Sequence, residues 1–341
     1  MTPQVAFRVN GGPEVGLGHL RRCLTLAQAL IRRGTGVLFF VNDDGGSARL
    51  LEESGVDVLR VPAQEIRHLD LTRRHIADRG VQALVVDSYD VAADALGHVE
   101  VPVAAIVDAP PPAPLPVQML TNAAADAPSR PCPAGPATRL LLGPRFVLLR
   151  EEFASPGRGD VRNDIARVLI STGGSDPGCR TPQLMRLVHA ALPDAHLDVV
   201  AGPYFSEALL GDLDRLAAIL PASIHRNPRR MRALMADADL AVTAGGQTVY
   251  ELAATGTPAI AVCFADNQRA NLTGMAARGA LVYAGDVSDA AVDVVLTAHI
   301  RALAGDPGAR QRMSSRAREV VDGQGAARVA DEVLALLRPA C

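Results

Sequence analysis

Glycine-rich turns that lead into chemically active side chains recur along this 341-residue sequence. The first runs from Gly11 to His19 and includes Gly16 and Gly18. Glycines let the backbone turn tightly and approach a ligand closely. His19 follows at the start of a predicted helix, whose positive end disfavours imidazolium and so favours a neutral base. The pattern predicts that His19 is a general base; the alternative is a histidine that only starts a helix after a turn.

A second turn follows a predicted strand at 166–172 and contains Gly173, Gly174 and Ser175. Two glycines and hydroxyl groups at the end of a strand suit contact with a phosphate or a ribose. The alternative is an ordinary Ser-Asp-Pro turn without a ligand.

A third turn runs from a predicted strand into a helix through Gly245, Gly246, Gln247 and Thr248. Free backbone N–H groups at such a helix start can cradle a diphosphate. Glu251 lies about one turn into the helix, where a carboxylate can reach a ribose diol. The alternative is a glycine turn in which Glu251 serves as a capping residue.

Polar residues also follow two other predicted strands. Asn267 and Gln268 come after the strand at 258–264, where side-chain amides can bind sugar hydroxyls; the alternative is a polar helix cap. Asp87 and Tyr89 end the strand at 83–89 and are predicted to face the same crevice as His19. The alternative for this pair is a plain turn.

The elements that must position these residues alternate between short β-branched runs and longer amphipathic stretches, which predicts βαβ units with mainly parallel sheets. Two such series predict an α/β protein with two Rossmann-like domains that face each other across a cleft. The predicted domains are 1–150, with the base, and 165–341, with the nucleotide site; the last helix is a candidate to cross back. Residues 151–164 are the predicted linker, and 108–138 are expected to form a long proline-rich loop.

The composition excludes several classes of protein. All 34 basic residues are arginine, which excludes a Schiff-base lysine, a P-loop lysine and a kinase-type lysine. The net charge of −3 does not favour nucleic acid as a partner. No cysteine or histidine spacing fits a zinc site, and no apolar run is long enough to span a membrane. We therefore expect a cytoplasmic protein with no metal, no other cofactor and no integral membrane segment.

The motifs together resemble one superfamily over nearly the whole chain. These motifs are Arg8 with Gly16-Leu-Gly18-His19 to Ala27, Val86–Tyr89, Leu141–Pro144, Gly173–Pro177, Ala236–Gln268 and Val321–Arg328. The sequence resembles the UDP-sugar hydrolase of pseudaminic acid biosynthesis and the spore-coat polysaccharide glycosyltransferase-like proteins. The resemblance implies the GT-B fold of the distantly related peptidoglycan N-acetylglucosaminyltransferase, a UDP-sugar bound mainly by the C-terminal domain, and no metal requirement.

The sequence departs from the hydrolase pattern at three places. Asn10 stands where the hydrolase usually has Asp, Asp108-Ala109 stands where it has an Asp-Asp pair, and Gly246–Glu251 lacks the usual tryptophan. The last motif is more like the glycosyltransferase-like branch. These departures leave the expected fold and donor class in place, and they leave both transfer and hydrolysis open.

The resulting hypothesis is an inverting, metal-independent glycosyltransferase that displaces UDP from a UDP-sugar by a base-activated small polar acceptor. The main alternative is a hydrolase that uses water and releases free sugar and UDP; a third class is a UDP-sugar 2-epimerase or a catalytically silent nucleotide-binding module. His19 is the predicted catalytic base. The predicted donor residues are Gly173, Gly174, Ser175, Gly245, Gly246, Gln247, Thr248, Glu251, Asn267 and Gln268. The predicted acceptor-side residues are Asn10, Gly16, Gly18, Asp87 and Tyr89.

Overall fold

The computed structural model describes residues 3–11, 18–42, 46–62, 67–155, 157, 159–176 and 178–337. The chain divides into two compact units. The N-terminal unit comprises Met1–Glu151 and Gln324–Cys341, and the C-terminal unit comprises Glu152–Gly323. The first division therefore falls at the start of the predicted linker 151–164.

The N-terminal unit is built on a parallel sheet that has seven strands in the described part of the chain, in the order β3-β2-β1-β4-β5-β6-β7. The strands are β1 (Gln4–Val9), β2 (Gly36–Asn42), β3 (Asp57–Val61), β4 (Ala83–Asp87), β5 (Val103–Ile106), β6 (Met119–Asn122) and β7 (Arg139–Leu142). Four helices connect them: α1 (Gly18–Ile31), α2 (Ser47–Glu52), α3 (Asp70–Arg79) and α4 (Ala93–Gly97). This strand order is that of a Rossmann-like domain.

Apolar residues bury this sheet on both faces, as expected for a parallel sheet between helices. On one face Phe7 stacks on Phe39 with ring centroids 4.8 Å apart, in a core that includes Leu26 of α1. On the other face Leu38 and Phe40 pack in a separate core. The continuous apolar runs seen in the sequence therefore correspond to strands that have no solvent-facing side.

The C-terminal unit repeats the design, with six strands in the described residues in the order β10-β9-β8-β11-β12-β13, all parallel. The strands are β8 (Arg167–Ser171), β9 (His196–Ala201), β10 (Ala222–Arg226), β11 (Leu240–Ala244), β12 (Ala259–Cys263) and β13 (Val282–Asp286). The helices are α5 (Thr181–Ala191), α6 (Glu207–Ala217), α7 (Met231–Asp237), α8 (Thr248–Thr255), α9 (Asp266–Ala277), α10 (Val292–Gly305) and α11 (Pro307–Val320).

The last helix, α12 (Gly325–Leu336), belongs to the N-terminal unit and not to the C-terminal one. Its apolar stripe, which includes Val329 and Val333, lies in the same core as Leu26. Arg33 donates to Asp331 at 2.7 Å beside this contact. The last helix, which the sequence offered as a candidate to cross back, therefore packs in the N-terminal unit, because the apolar face of α12 is buried on α1.

The segment 108–138 also differs from the predicted long loop. It contains strand β6, which pairs in parallel with β5 and β7, and a 3₁₀ turn at Ala127–Ser129. Strand β6 has only four residues and follows a proline-rich stretch, so the sequence there shows no periodic pattern of apolar residues that would predict a strand. No helix in the described part of the chain is both long and apolar enough to cross a membrane, and the cytoplasmic location stays a prediction.

Candidate functional site

Both sheets reverse their strand order beside the first strand, and this is where doubly wound folds bind ligands at the carboxyl ends of the strands. In the N-terminal unit the reversal lies between β1 and β4, where Val9 pairs with Asp87. In the C-terminal unit it lies between β8 and β11, where Ser171 pairs with Thr243. The predicted site residues of each unit gather at these two edges.

His19 lies in the first turn of α1 and contacts the end of β4. Its Nδ1 lies 2.6 Å from Oδ1 of Asp87, and both side chains are buried. Nη2 of Arg22 lies 3.0 Å from the same Nδ1, but it donates to Asp87 Oδ1 at 2.6 Å. His19 Nδ1 and Arg22 Nη2 both lie 2.6 Å from Oδ1 of Asp87, and we treat both as donors to this oxygen. The ring proton of His19 is therefore assigned to Nδ1. The neutral ring then carries its lone pair on Nε2, for which no hydrogen-bond partner is seen among the described residues.

Arg22 links Asp87 to a second carboxylate, Asp108, which follows β5. Its Nε donates to Asp87 Oδ2 at 2.6 Å, and its Nη1 donates to Asp108 Oδ1. The hydroxyl of Tyr89 also donates to Asp108, and the Tyr89 ring meets the His19 ring edge-on, with centroids 4.7 Å apart. One network of ionic and aromatic contacts therefore joins His19, its carboxylate partner Asp87 and the exposed ring of Tyr89.

The charges in this network shift one another's pKa values. Burial alone would raise the pKa of Asp87, but the Arg22 guanidinium and the hydrogen bond from His19 outweigh burial and hold that pKa below its usual range. The pKa of Asp108 is lowered in the same way, against its partial burial, by Arg22 and Tyr89. Burial and then Asp87 raise the pKa of the Cys23 thiol. Both carboxylates are thus ionised, and Cys23 is a neutral thiol at physiological pH.

The remaining predicted acceptor-side residues have different surroundings. Asn10 is buried, and its amide group is occupied, because it accepts from Arg8 at 2.6 Å and donates to Asp90. Asp87 likewise binds side chains of α1, so both residues already have partners within the N-terminal unit, and their acceptor-side role stays a prediction. Gly18 is the exposed first residue of α1. Gly16 lies outside the described residues.

In the C-terminal unit, Gly245 and Gly246 form the turn between β11 and α8. A Cβ at Gly245 would lie 2.6 Å from Leu272 Cδ1, so the backbone here requires glycine. The N–H of Gly245 donates to Oε1 of Gln268 at 3.1 Å. A Cβ at Gly246 would meet no described atom within 4 Å, and Gly246 is exposed. The turn is thus fixed on one side by α9 and open on the other.

The start of α8 differs from the start of α5. At α5, the carboxylate of Asp176 accepts from the N–H groups of Arg180 and Thr181 at 3.0 and 2.7 Å. At α8, no side chain of the described residues caps the helix, and the N–H groups of Gly246 and Thr248 make no hydrogen bond to them. Helix N-termini attract anions, and α5 already has one from its own chain. Of these two helix starts, α8 is the one that has no side-chain carboxylate of the described residues bound to it, so it is the candidate to bind a diphosphate.

Gly173 and Gly174 lie at the edge of β8, next to the open start of α8 in the strand order. Gly173 has a φ of +97°, a conformation that favours glycine. The carbonyl of Gly174 accepts from the N–H of Tyr204 at 3.0 Å, and Ser175 is exposed. Ser175 is therefore accessible to a ligand, whereas the following Asp176 is buried and accepts from N–H groups at the start of α5.

The other predicted donor residues divide by their degree of exposure. Asn267 is exposed in the first turn of α9. Gln268 spends its Oε1 on the N–H groups of Gly245 and Phe264, so its carbonyl positions the loop instead of meeting a sugar. Glu251 is partly buried in the first turn of α8 and Gln247 is exposed. No group of three or more His, Cys, Asp or Glu side chains in the described residues could hold a metal.

Sequence reasoning missed Arg22 and Asp108 as site residues. Arg22 reads as a charge on the solvent side of α1, and Asp108 as one polar residue before a proline run. Their contact joins residues 86 positions apart. The available signal was the adjacency of β4 and β5, because the ends of neighbouring parallel strands meet at one edge.

No protein-family profile matches the chain. It is 26% identical over 95% of its length to a spore coat polysaccharide biosynthesis protein of Bacillus subtilis, covering 96% of that protein. It is 24% identical over 78% of its length to an uncharacterized protein of Methanocaldococcus jannaschii, of which the match spans only 57%. A shorter segment, 30% of the chain, is 41% identical to 29% of a UDP-N-acetylglucosamine–N-acetylmuramyl-(pentapeptide) pyrophosphoryl-undecaprenol N-acetylglucosamine transferase of Clavibacter michiganensis.

Solved structures match over nearly the whole chain. MurG of Acinetobacter baumannii matches 98% of this chain and 99% of its own, with 16% identity and a TM-score of 0.70. LpCGTa, solved in complex with UDP, matches 100% of both chains with 14% identity and a TM-score of 0.65. SsfS6 of Streptomyces sp. SF2575, a glycosyltransferase complexed with thymidine diphosphate, matches 97% of this chain and 99% of its own, with 13% identity and a TM-score of 0.60. The chain therefore has the GT-B fold and is similar in sequence to the spore-coat polysaccharide biosynthesis protein and the peptidoglycan N-acetylglucosamine transferases.

Proposed function

We propose that this protein is an inverting glycosyltransferase that takes its sugar from a UDP-sugar and needs no metal ion. The enzyme class, a nucleotide-sugar-dependent glycosyltransferase, is supported by the similar sequence of an N-acetylglucosamine transferase and by the fold. The single observation that carries the proposal is the pairing of His19 with buried Asp87 at a ligand-binding sheet edge. We propose UDP as the nucleotide of the donor because UDP occurs in the name of that transferase and in the LpCGTa complex.

The start of α8 would hold the diphosphate of the donor. The N–H groups of Gly246 and Thr248 and the positive end of α8 supply the electrostatic stabilisation that a departing diphosphate oxyanion needs. The chain has no lysine for this purpose. Glu251 would bind the ribose, and Asn267 and the Gly173–Ser175 loop are the remaining donor contacts. Metal independence is a part of the proposal and stays a prediction.

His19 would activate the acceptor. Its Nε2 takes the proton from an acceptor hydroxyl as the oxygen bonds to the anomeric carbon, while the bond from that carbon to the UDP oxygen breaks. The imidazolium that forms is stabilised by Asp87 through Nδ1–H, the arrangement that histidine bases use in serine hydrolases. A single displacement of this kind inverts the configuration at the anomeric carbon. General base catalysis contributes about 10²–10⁴-fold to the rate.

Hydrolysis would need only that water replaces the acceptor, and the relatives with a named activity do not favour it. The test is incubation with a panel of UDP-sugars, with and without candidate acceptors, followed by mass spectrometry. The proposal predicts release of UDP that depends on the acceptor, together with a product heavier by one glycosyl unit. Release of free sugar at the rate of UDP release, without an acceptor, would show a hydrolase instead. No turnover and no binding of any UDP-sugar would overturn the proposal.

Metal independence has its own test. UDP at 100 times its dissociation constant should stabilise the protein by about 2.7 kcal/mol. The thermal shift is expected to persist in EDTA, because the N–H groups at the start of α8 and not a cation meet the diphosphate. A shift that vanishes in EDTA and returns with magnesium would contradict this part of the proposal.

A further inference from the structure

The side chain of Arg22 lies between two carboxylates beside His19. It makes two hydrogen bonds of 2.6 Å to Asp87, from Nε and from Nη2. It also donates to Asp108 through Nη1, and more weakly through Nη2 at 3.3 Å. A planar guanidinium can hold two carboxylates in fixed positions, which an ammonium group cannot do. The arrangement is thus both an orientation device and a fixed set of charges.

We propose that Arg22, balanced by Asp108, is the positioning residue that sets the proton affinity of His19 through Asp87. This inference rests on the proposed function of His19 as a base. Among the residues that the structure describes, three fixed charges face the imidazole, with a net charge of −1: Asp87 from β4, Arg22 from α1 and Asp108 after β5. Tyr89 and Cys23 also face this group of charges, and both are neutral near pH 7, because burial and neighbouring carboxylates raise their pKa values.

The net charge decides how easily His19 becomes imidazolium. Removing Asp108 leaves a net charge of zero, which disfavours imidazolium. Removing Arg22 leaves a net charge of −2, which favours imidazolium. The two substitutions therefore shift the protonation of the same ring in opposite directions. A merely structural role for the network predicts no such opposition. A second polar chain at this edge, Arg8–Asn10–Asp90, is unchanged by either substitution.

The experiment measures the acidic limb of the pH profile of kcat/KM, which reports the base in the free enzyme. Asp108→Asn should move its midpoint down by about 0.5–1 pH unit, and Arg22→Gln should move it up by a similar amount, the size expected for one charge in a partly screened site. Arg22→Lys keeps the positive charge but loses the planar guanidinium group that binds both carboxylates. It should therefore keep the midpoint and lower kcat by about tenfold.

The matched control is Asp331→Asn, which removes an exposed carboxylate that pairs with Arg33 just beyond the end of α1. It should leave the midpoint and kcat unchanged. The melting temperature shows that each variant is folded, and UDP affinity by calorimetry shows that the proposed nucleotide site in the other unit is undisturbed. Should Arg22→Gln fail to fold, Asp108→Asn and Arg22→Lys still decide the proposal.

An NMR titration of the ¹³C-labelled His19 ring, assigned with His19→Asn, gives a readout that does not need activity. The midpoint of this titration should shift down in Asp108→Asn and up in Arg22→Gln. If the protein transfers no sugar but the ring titration shifts as stated, the proposed function fails and this inference stands. If transfer occurs but the ring and the pH profile keep their midpoints in Asp108→Asn and, where it folds, in Arg22→Gln, the inference is wrong and the proposed function stands.

Discussion

Replacing Asp87 with asparagine tests the base most sharply, because the substitution changes charge without changing shape. The carboxylate accepts three hydrogen bonds of 2.6 Å, one from His19 and two from Arg22. Asparagine offers one oxygen and one N–H₂ group. With its oxygen at the Oδ1 position it keeps His19 and one bond of Arg22, which is the better of its two orientations. The variant should therefore keep the tautomer of His19 but lose the negative charge.

The size of the effect follows from that lost charge. A hydrogen bond to a charged partner is worth about 1.5–3 kcal/mol. The imidazolium exists only as the reaction proceeds, so the loss falls on the transition state. At 1.36 kcal/mol per factor of ten, kcat should fall by about 10–150-fold. Arg22 keeps Asp108 as a charged partner, so the loss of stability should be about 1–3 kcal/mol, or about 2–4 °C of melting temperature per kcal/mol.

The acid stability of the N-terminal unit should change as well. The pKa of Asp87 is held below its usual range, so its stabilising interactions are complete above the ordinary carboxyl range. They are lost as the pH falls through the lowered pKa. Asp87→Asn has no such carboxylate, so its melting temperature should depend less on pH below about pH 4.

The assay measures kcat, UDP affinity and melting temperature on the same preparation, with Asp331→Asn as the control. UDP affinity should stay within a few-fold of wild type. A variant that keeps more than a third of wild-type kcat would refute the assignment of Asp87 as the partner of a catalytic imidazolium. A loss of kcat matched by an equal loss of UDP affinity would show that the substitution disturbs more than the base.

The remaining predictions concern the C-terminal unit. Gly246→Ala should lower UDP affinity at least tenfold while the melting temperature stays the same, because its methyl group faces only open space. Gly245→Ala should destabilise the C-terminal unit, because its methyl group would lie 2.6 Å from a carbon of Leu272. Glu251→Ala should weaken UDP-sugar binding by about 10–150-fold in calorimetry and leave kcat nearly unchanged, since a ribose contact is equal in ground and transition states; a collapse of kcat at constant affinity would assign it another role. Arg310→Ala should lower the stability in thermal unfolding by about 2–5 kcal/mol, because this buried side chain donates to four carbonyl oxygens. Arg312→Ala, at an exposed arginine, is the control, and equal melting temperatures of the two variants would contradict the prediction.

The sequence predicts the strands of this fold well where burial dictates composition. Strands such as β1 and β11 are buried on both faces, so they are mainly apolar; Arg8 of β1 and Thr243 of β11 are buried polar residues within them. Strand β6 was missed because four residues beside a proline-rich stretch carry no period. Helix α12 was predicted as a helix and as a candidate to cross back, but its contact with α1 depends on apolar residues that lie far away in the sequence, which local pattern does not encode.

The candidate site could be predicted where chemistry follows a glycine turn. His19 and the Gly245–Gly246 turn were found because a turn, a strand end and a helix start coincide in the sequence. The roles of Asp87 and Asn10 were assigned too generally, because burial and the partner of a carboxylate depend on contacts across the sheet. Asp108 shows the limit most clearly: it meets Arg22 only because β4 and β5 are neighbours.

The most direct test of the central claim is His19→Asn, with kcat by product release and UDP affinity by calorimetry on one preparation. Asparagine keeps the helix start and some hydrogen bonding but cannot take a proton. The account predicts that kcat falls by about 10²–10⁴-fold and that UDP affinity stays within a few-fold of wild type. A His19→Asn protein that keeps most of its transfer activity would contradict the account and reduce His19 to the first turn of a helix.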